Sequence, residues 1–195
     1  SLESLDFPSL TIDLVNQKNV LSKLRIDSSL RSLAICPGAE FGPAKKWPPD
    51  YYAEVARAYI ERGWNILCLG SPNDQETGEK IESFHDLNKG KKFYNLIGKT
   101  SLNDAIDILG LCEKVVTNDS GLMHIAAAVG TPLVALYGPS SPAYTPPLTD
   151  NKKILRKMEG YEKKREGDLE RGYHQSLLAI RPTEVINALE EIQKL

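Results

Sequence analysis

Between residues 33 and 137 the chain passes five times from a short apolar run into a polar turn and on toward a stretch with helical spacing. The runs are 33–36, 64–69, 93–97, 114–117 and 132–137. Helical patterns follow at 50–62, 74–87, from 101 onward, at 121–129 and finally at 182–195. In the first helix Tyr52, Val55, Ala56 and Tyr59 recur at the three- and four-residue spacing that puts them on one face. Strands that alternate with helices through short connections cannot pair as hairpins. They predict an α/β fold with a doubly wound parallel sheet. Local signals mark the ends: Asp50 as an N-cap, Gly63 as a stop, Ser101 with Asp104 as a near capping box, and Pro182 in a first turn. Residues 1–30 carry no sustained period and read as a boundary or linking segment. Residues 31–195 read as one domain.

Parallel sheets bind ligands at the carboxyl ends of their strands. That rule selects the loops 37–49, 70–74, 98–101, 117–124 and 137–147. The loop at 117–124 reads Thr-Asn-Asp-Ser-Gly-Leu-Met-His. A strand stops there and a helix opens, so free backbone N–H groups and the positive dipole end converge on one spot suited to an anion. Gly121 allows a ligand close to the backbone, and Asp119 and His124 stand beside it. Plainer readings exist for each: Asp119 or Ser120 as a helix cap, and His124 as a histidine tucked under the last loop. Ser120 and His124 are four apart and share a helix face. No further His, Asp or Glu falls at metal-ligand spacing, so neither a metal nor another cofactor is expected.

The first loop, 36–48, holds two glycines and three prolines and ends Ala-Lys-Lys-Trp-Pro. Lys45 or Lys46 can pair with a phosphate from the edge of the sheet, or both can be solvated surface lysines. Trp47 reads as a packing residue. The loop is not a Walker A sequence, and no G-x-G-x-x-G follows a strand, so ATPase and dinucleotide readings lose support. The fifth loop, 137–147, is stiff and rich in hydroxyls. It suits sugar binding, a partner surface or mere connection. Residues 151–171 carry eight Lys/Arg and five Asp/Glu and read as a solvated, mobile excursion or, more sharply, as a contact for an anionic acceptor.

A net charge of −2 argues against a dedicated nucleic-acid binder. No apolar run approaches the ~20 residues of a membrane span, and no signal-peptide pattern is present. Cys36, Cys68 and Cys112 lie in or beside apolar segments without paired spacing, which suits buried free thiols in a reducing cytoplasm.

Four ordered segments together resemble glycosyltransferase family 9, the ADP-heptose:lipopolysaccharide heptosyltransferases, and within it the heptosyltransferase II branch. They are Pro-Gly-Ala-Glu-Phe-Gly-Pro-Ala-Lys-Lys-Trp-Pro at 37–48, Thr-Asn-Asp-Ser-Gly-Leu-Met-His at 117–124, Leu-Val-Ala-Leu-Tyr-Gly-Pro-Ser-Ser-Pro at 133–142, and Gly-Tyr-His-Gln-Ser-Leu at 172–177. The resemblance runs from about residue 30 to the end. It implies the Rossmann-like C-terminal half of a GT-B glycosyltransferase, binding the nucleotide-sugar donor. An N-terminal domain, absent here, would supply the acceptor surface and the catalytic base.

By position, the resemblance makes Lys45 the lysine that neutralises the donor diphosphate. Ser120 and Gly121, with Leu122 and Met123 beside them, form the amide cradle for the phosphates. Asp119 becomes the carboxylate near the donor sugar, and His124 the histidine beside it. Gly38, Ala39 and Glu40 stand near the phosphates, although related enzymes carry hydroxyl residues where Ala39 and Glu40 fall. Asp74 or Glu76 meets the ribose, and Thr100 lines the adenine pocket. The implied reaction is an inverting, metal-independent transfer of heptose from ADP-heptose to the lipid A–Kdo–heptose inner core. It would occur at the cytoplasmic face of the inner membrane, with at most peripheral membrane contact. The residues alone leave two alternatives: another nucleotide-sugar enzyme of GT-B fold, or a non-catalytic nucleotide-binding module.

Overall fold

Leu33 and Ile35 face one hydrophobic cluster, and Ala34 and Cys36 face another on the opposite side of the same strand. This period-two alternation, with every position buried, belongs to a strand covered on both faces. A computed structural model describes residues 6–39, 42–163, 166–167 and 172–193. The strands are β1 (Ser32–Cys36), β2 (Asn65–Cys68), β3 (Phe93–Asn95), β4 (Lys114–Asn118), β5 (Leu133–Tyr137) and β6 (Lys152–Arg156). They form one sheet in the order β3-β2-β1-β4-β5-β6, and every neighbouring pair is parallel. This is the doubly wound α/β fold that the alternation predicts.

The helices are α1 (Leu14–Lys23), α2 (Pro49–Glu61), α3 (Gln75–Ser83), α4 (Leu102–Leu111), α5 (Gly121–Ala128), α6 (Gln175–Leu178) and α7 (Pro182–Glu191). Side chains of α2, α3 and α7 fill one face of the sheet; those of α1, α4 and α5 fill the other. Cys36, Cys68 and Cys112 are buried free thiols. The Ser101 hydroxyl accepts from the Asp104 N–H and the Asp104 carboxylate from the Ser101 N–H, so the capping box is present.

Several elements depart from the sequence reading. The segment 1–30 is not featureless: α1 starts on an Asp13 cap and docks on α4. Of its residues only Val20 and Leu21 are buried, and polar bonds supply much of its contact with α4, which hid it. Asn16 Nδ2 donates to Asp107 at 2.7 Å, and Gln17 donates to the Asp107 carbonyl at 2.7 Å. Gly110 makes room for Ile12, whose Cδ1 would lie 2.2 Å from an added Cβ. Residues 152–156, expected as part of a mobile excursion, form the sixth strand, an edge strand half-exposed along its length. The rest of that excursion falls partly on 164–165 and 168–171, outside the described residues. Pro48, not Asp50, precedes the first turn of α2. The helix expected over 74–87 is α-helical only at Gln75–Ser83, with 3-10 turns at Pro72–Asp74 and Phe84–Gly90. The last helix ends at Glu191, and 194–195 lie outside the described residues.

Candidate functional site

β1 and β4 are neighbours, but the chain leaves β1 toward β2 and leaves β4 toward β5. Their following loops therefore diverge and open a crevice, the topological switch point of such sheets. A cavity of about 680 Å³ lies there. The loop after β1 lines it with Gly38 and Ala39, the loop after β2 with Ser71 and Asp74, the loop after β3 with Thr100 and Ser101, and the start of α5 with Ser120, Gly121 and Leu122.

Asn118, at the end of β4, fixes the first loop. Its Nδ2 donates to the Pro37 carbonyl at 2.8 Å, and its Oδ1 accepts from the Trp47 N–H at 3.2 Å and the Tyr52 hydroxyl at 3.0 Å. Trp47 is fully buried, as its reading as a packing residue requires. Its ring meets Tyr51 and Tyr52 edge-on, and its Nε1 donates to the Ile180 carbonyl at 3.0 Å.

The turn that Asn118 anchors sends consecutive lysines to carboxylates on separate loops. Lys45 Nζ lies 2.7 Å from Asp119 Oδ2. Lys46 Nζ lies 3.1 Å from Asp74 Oδ1. Asp119 also accepts from the Thr145 hydroxyl at 3.2 Å, which brings in the fifth loop. Thr145 is held in turn by the Tyr137 hydroxyl, which donates to its carbonyl. Burial pushes the Tyr137 phenol well above the ordinary range, and the nearby Asp119 charge adds to that. Asp74 Oδ2 accepts from both the N–H and the hydroxyl of Ser71. This close seat needs Gly38, because a Cβ there would lie 2.5 Å from Asp74 Oδ2.

Ser120 is the N-cap residue of α5, and its side chain makes no capping bond. Asp119 serves the lysine instead of the helix. The first N–H groups of α5 thus keep the character of an anion site. An added Cβ at Gly121 would meet nothing within 4 Å.

Of the residues singled out from sequence, Gly38, Ala39, Asp74, Thr100, Ser120, Gly121 and Leu122 line the cavity. Lys45 and Asp119 pair beside it. Besides that pair, three more do not line it. Met123 is fully buried with its sulfur on the Tyr137 hydroxyl, because the third residue of α5 turns toward the sheet. His124 is exposed rather than tucked under a loop. Glu76 is exposed and bonded to Lys80 at 2.6 Å, which leaves Asp74 as the carboxylate at the cavity. Glu40 lies outside the described residues. Sequence reading missed Asn118, Ser71 and Thr145, and it left open whether Lys45 or Lys46 lines the cavity. A polar Asn inside a buried strand end was a visible signal for the first.

The sequence profile of glycosyltransferase family 9 (heptosyltransferase) matches residues 4–174. The chain belongs to glycosyltransferase family 9. It is 47% identical over 190 residues to lipooligosaccharide heptosyltransferase 2 of Haemophilus influenzae, covering 95% of this chain and 55% of that protein. Lipopolysaccharide heptosyltransferase 2 of Escherichia coli is 42% identical over 190 residues, covering 97% of this chain and 55% of that protein. Among solved structures, E. coli ADP-heptose lps heptosyltransferase II superposes with a TM-score of 0.87 at 39% identity, covering 96% of this chain and 54% of that one. The chain spans about half the length of the curated relatives it matches.

The four segments that carry the family 9 resemblance converge at one end of the sheet. Trp47 reaches Ile180 just after α6. Gly138 lies so close to Leu177 that an added Cβ would be 2.8 Å from its Cγ. His174 caps α6 through Nδ1, which accepts from the Ser176 N–H at 3.3 Å. Arg156, at the end of β6, donates to the Ser140 carbonyl at 3.0 Å and ties the fifth loop to the edge strand.

Proposed function

We propose that this chain is the donor-binding half of an inverting glycosyltransferase. In this reading the full-length protein moves heptose from ADP-heptose to the inner core of lipopolysaccharide. One observation carries it: in a family 9 chain, the cavity at the switch point is framed by Lys46, the open start of α5 and the Lys45–Asp119 pair. Those are the groups a nucleoside diphosphate needs. The Thr100 side of the cavity would take adenine, and the Asp74 side the ribose.

In the reaction, an acceptor hydroxyl forms a bond to the anomeric carbon as the bond from that carbon to the β-phosphate oxygen breaks. The acceptor proton passes to a carboxylate base that the N-terminal half supplies. Negative charge grows on the departing diphosphate. Lys45 and the N–H groups of α5 stabilise that charge where it develops, which lowers the barrier more than ground-state binding does. Attack opposite the leaving group inverts the anomeric centre.

The linking role of residues 1–30 and the place of the donor half within a GT-B enzyme belong to the same reading. So does work at the cytoplasmic face of the inner membrane, with the lipid-linked acceptor presented from the bilayer. Among the described residues no helix is long and apolar enough to cross a membrane.

Titrating ADP, UDP and GDP into the protein under NMR tests the reading. ADP should shift the amides of 119–124 and of the 38–46 loop. A stronger response to UDP or GDP would instead favour a related enzyme with another donor. No shift at millimolar nucleotide would remove the donor-binding role. The 195-residue chain alone should bind without turnover, because the base lies elsewhere.

A further inference from the structure

Lys45 and Lys46 are neighbours in sequence, yet they serve different places. Lys45 pairs with Asp119 outside the cavity lining. Lys46 lines the cavity, and among the described residues that do so it is the sole cation, with Asp74 the sole anion. Its side chain is about one-fifth exposed, so its ammonium works at reduced dielectric and is screened less than a surface charge.

The position of Lys46 is built. Asp74 Oδ1 meets its Nζ at 3.1 Å, and Ser71 holds Asp74 by both its N–H and its hydroxyl. The bare Cα of Gly38 lets that carboxylate press against the first loop. Four side-chain and backbone choices thus converge to place one ammonium at the loop after β2, between the loops that carry Thr100 and the start of α5, which the donor-site reading makes the nucleoside side.

We infer that Lys46 is an affinity-determining residue that grips the phosphate next to the nucleoside, the α-phosphate of a nucleoside diphosphate, while Lys45 serves the outer phosphate and the leaving-group charge. The inference rests on the donor-site reading and divides its labour. An interaction made equally in the bound ground state and in the transition state changes affinity more than turnover. A charge-assisted bond of this kind is worth about tenfold or more in affinity.

The test is calorimetric titration of the full-length protein with ADP, AMP and adenosine, for wild type, Lys46→Gln and Lys46→Arg. Lys46→Gln should weaken ADP and AMP alike, each by about tenfold. Lys46→Arg should restore most of the loss. Adenosine should bind all proteins within about twofold, which also reports that the cavity has kept its shape. In steady state most of the loss in kcat/KM for the donor should lie in KM. ADP affinity unchanged in Lys46→Gln would overturn the assignment, and so would a loss seen with ADP but not with AMP. Wild-type protein that binds neither ADP nor AMP would overturn the donor-site reading itself, and this inference with it.

Discussion

Lys45 Nζ and Asp119 Oδ2 lie 2.7 Å apart although 74 positions separate them in the chain. Each sits in the loop that follows one of two adjacent strands, β1 and β4, so the ion pair straddles the switch point of the sheet. Asp119 is almost fully buried, and the pair fixes the lysine's ammonium at the edge of the crevice. If that ammonium acts on the charge of the leaving diphosphate, Lys45→Ala in the full-length enzyme should lower kcat by about 10²-fold. ADP affinity should fall much less. Comparable losses in kcat and in ADP affinity would mean that Lys45 contributes plain ground-state binding.

Gly121 and Gly38 both border the cavity, yet they answer to different neighbours. Nothing in the protein lies within 4 Å of a Cβ placed at Gly121. Gly121→Ala should therefore leave thermal stability within roughly 0.5 kcal/mol of wild type. The added methyl stands at the mouth of the helix start, where a phosphate would approach, so ADP affinity should drop at least fivefold. Unchanged affinity in a stable Gly121→Ala protein would remove the helix start from the binding surface.

Gly38→Ala should behave in the opposite way. Its Cβ would lie 2.5 Å from Asp74 Oδ2, and relieving that overlap costs about 1–3 kcal/mol in a packed site. Thermal unfolding should show a lower Tm for Gly38→Ala than for Gly121→Ala. Equal melting temperatures would show that Asp74 can yield without cost.

Much of this architecture was legible. Leu33–Cys36 and Leu133–Tyr137 are apolar enough to read as buried strands, and the Ser101–Asp104 box marks α4 directly. α1 was not legible because its apolar face is short: only Val20 and Leu21 of the helix are buried, and Asn16 and Gln17 add polar bonds to α4. β6 was hidden for a related reason. Its Lys-Lys-Ile-Leu-Arg sequence is that of an edge strand, half-exposed and protected by charge. Within the site, sequence could locate the lysine pair but not orient it. Whether Lys45 or Lys46 lines the cavity depends on the 3-10 turn at Pro43–Lys45 and on carboxylates far along the chain. A loop motif also shows which residues cluster, while the helical phase decides which side chains face inward, as the buried Met123 side chain does.

The capping box of α4 makes stability depend on pH. Asp104 is held below its ordinary pKa chiefly by the Ser101 N–H, against an opposing effect of burial, with smaller lowering effects from the Ser101 hydroxyl, Asn16 and Lys23. A depressed carboxylate stabilises the fold above its unfolded pKa, and that contribution disappears as pH falls through the lower folded value. Asp104→Ala should therefore melt below wild type at pH 7, by about 1 kcal/mol as for other lost caps. The difference should narrow as pH drops below the unfolded value near 3.8. Melting curves recorded from pH 7 down to pH 3 measure this. A difference that persists unchanged at pH 3 would assign the effect to packing and not to the charge.

Thr145 links the fifth loop to the Lys45–Asp119 pair. Its hydroxyl donates to Asp119 Oδ1 at 3.2 Å, while Lys45 occupies Oδ2. The two partners therefore set the plane of the carboxylate, and through it the direction of the Lys45 ammonium. Thr145→Val keeps the shape and removes the donor, at about 1 kcal/mol, a factor of about five. If Lys45 meets the developing charge, the loss should fall on kcat, because Thr145 acts through the Lys45–Asp119 pair, and Thr145→Ser should recover it. Tyr137→Phe should give a smaller loss of the same kind, since the Tyr137 hydroxyl holds the Thr145 carbonyl. If Thr145→Val instead changed only Tm, with kcat untouched in the folded enzyme, Thr145 would be a fastening of the loop and no part of the site.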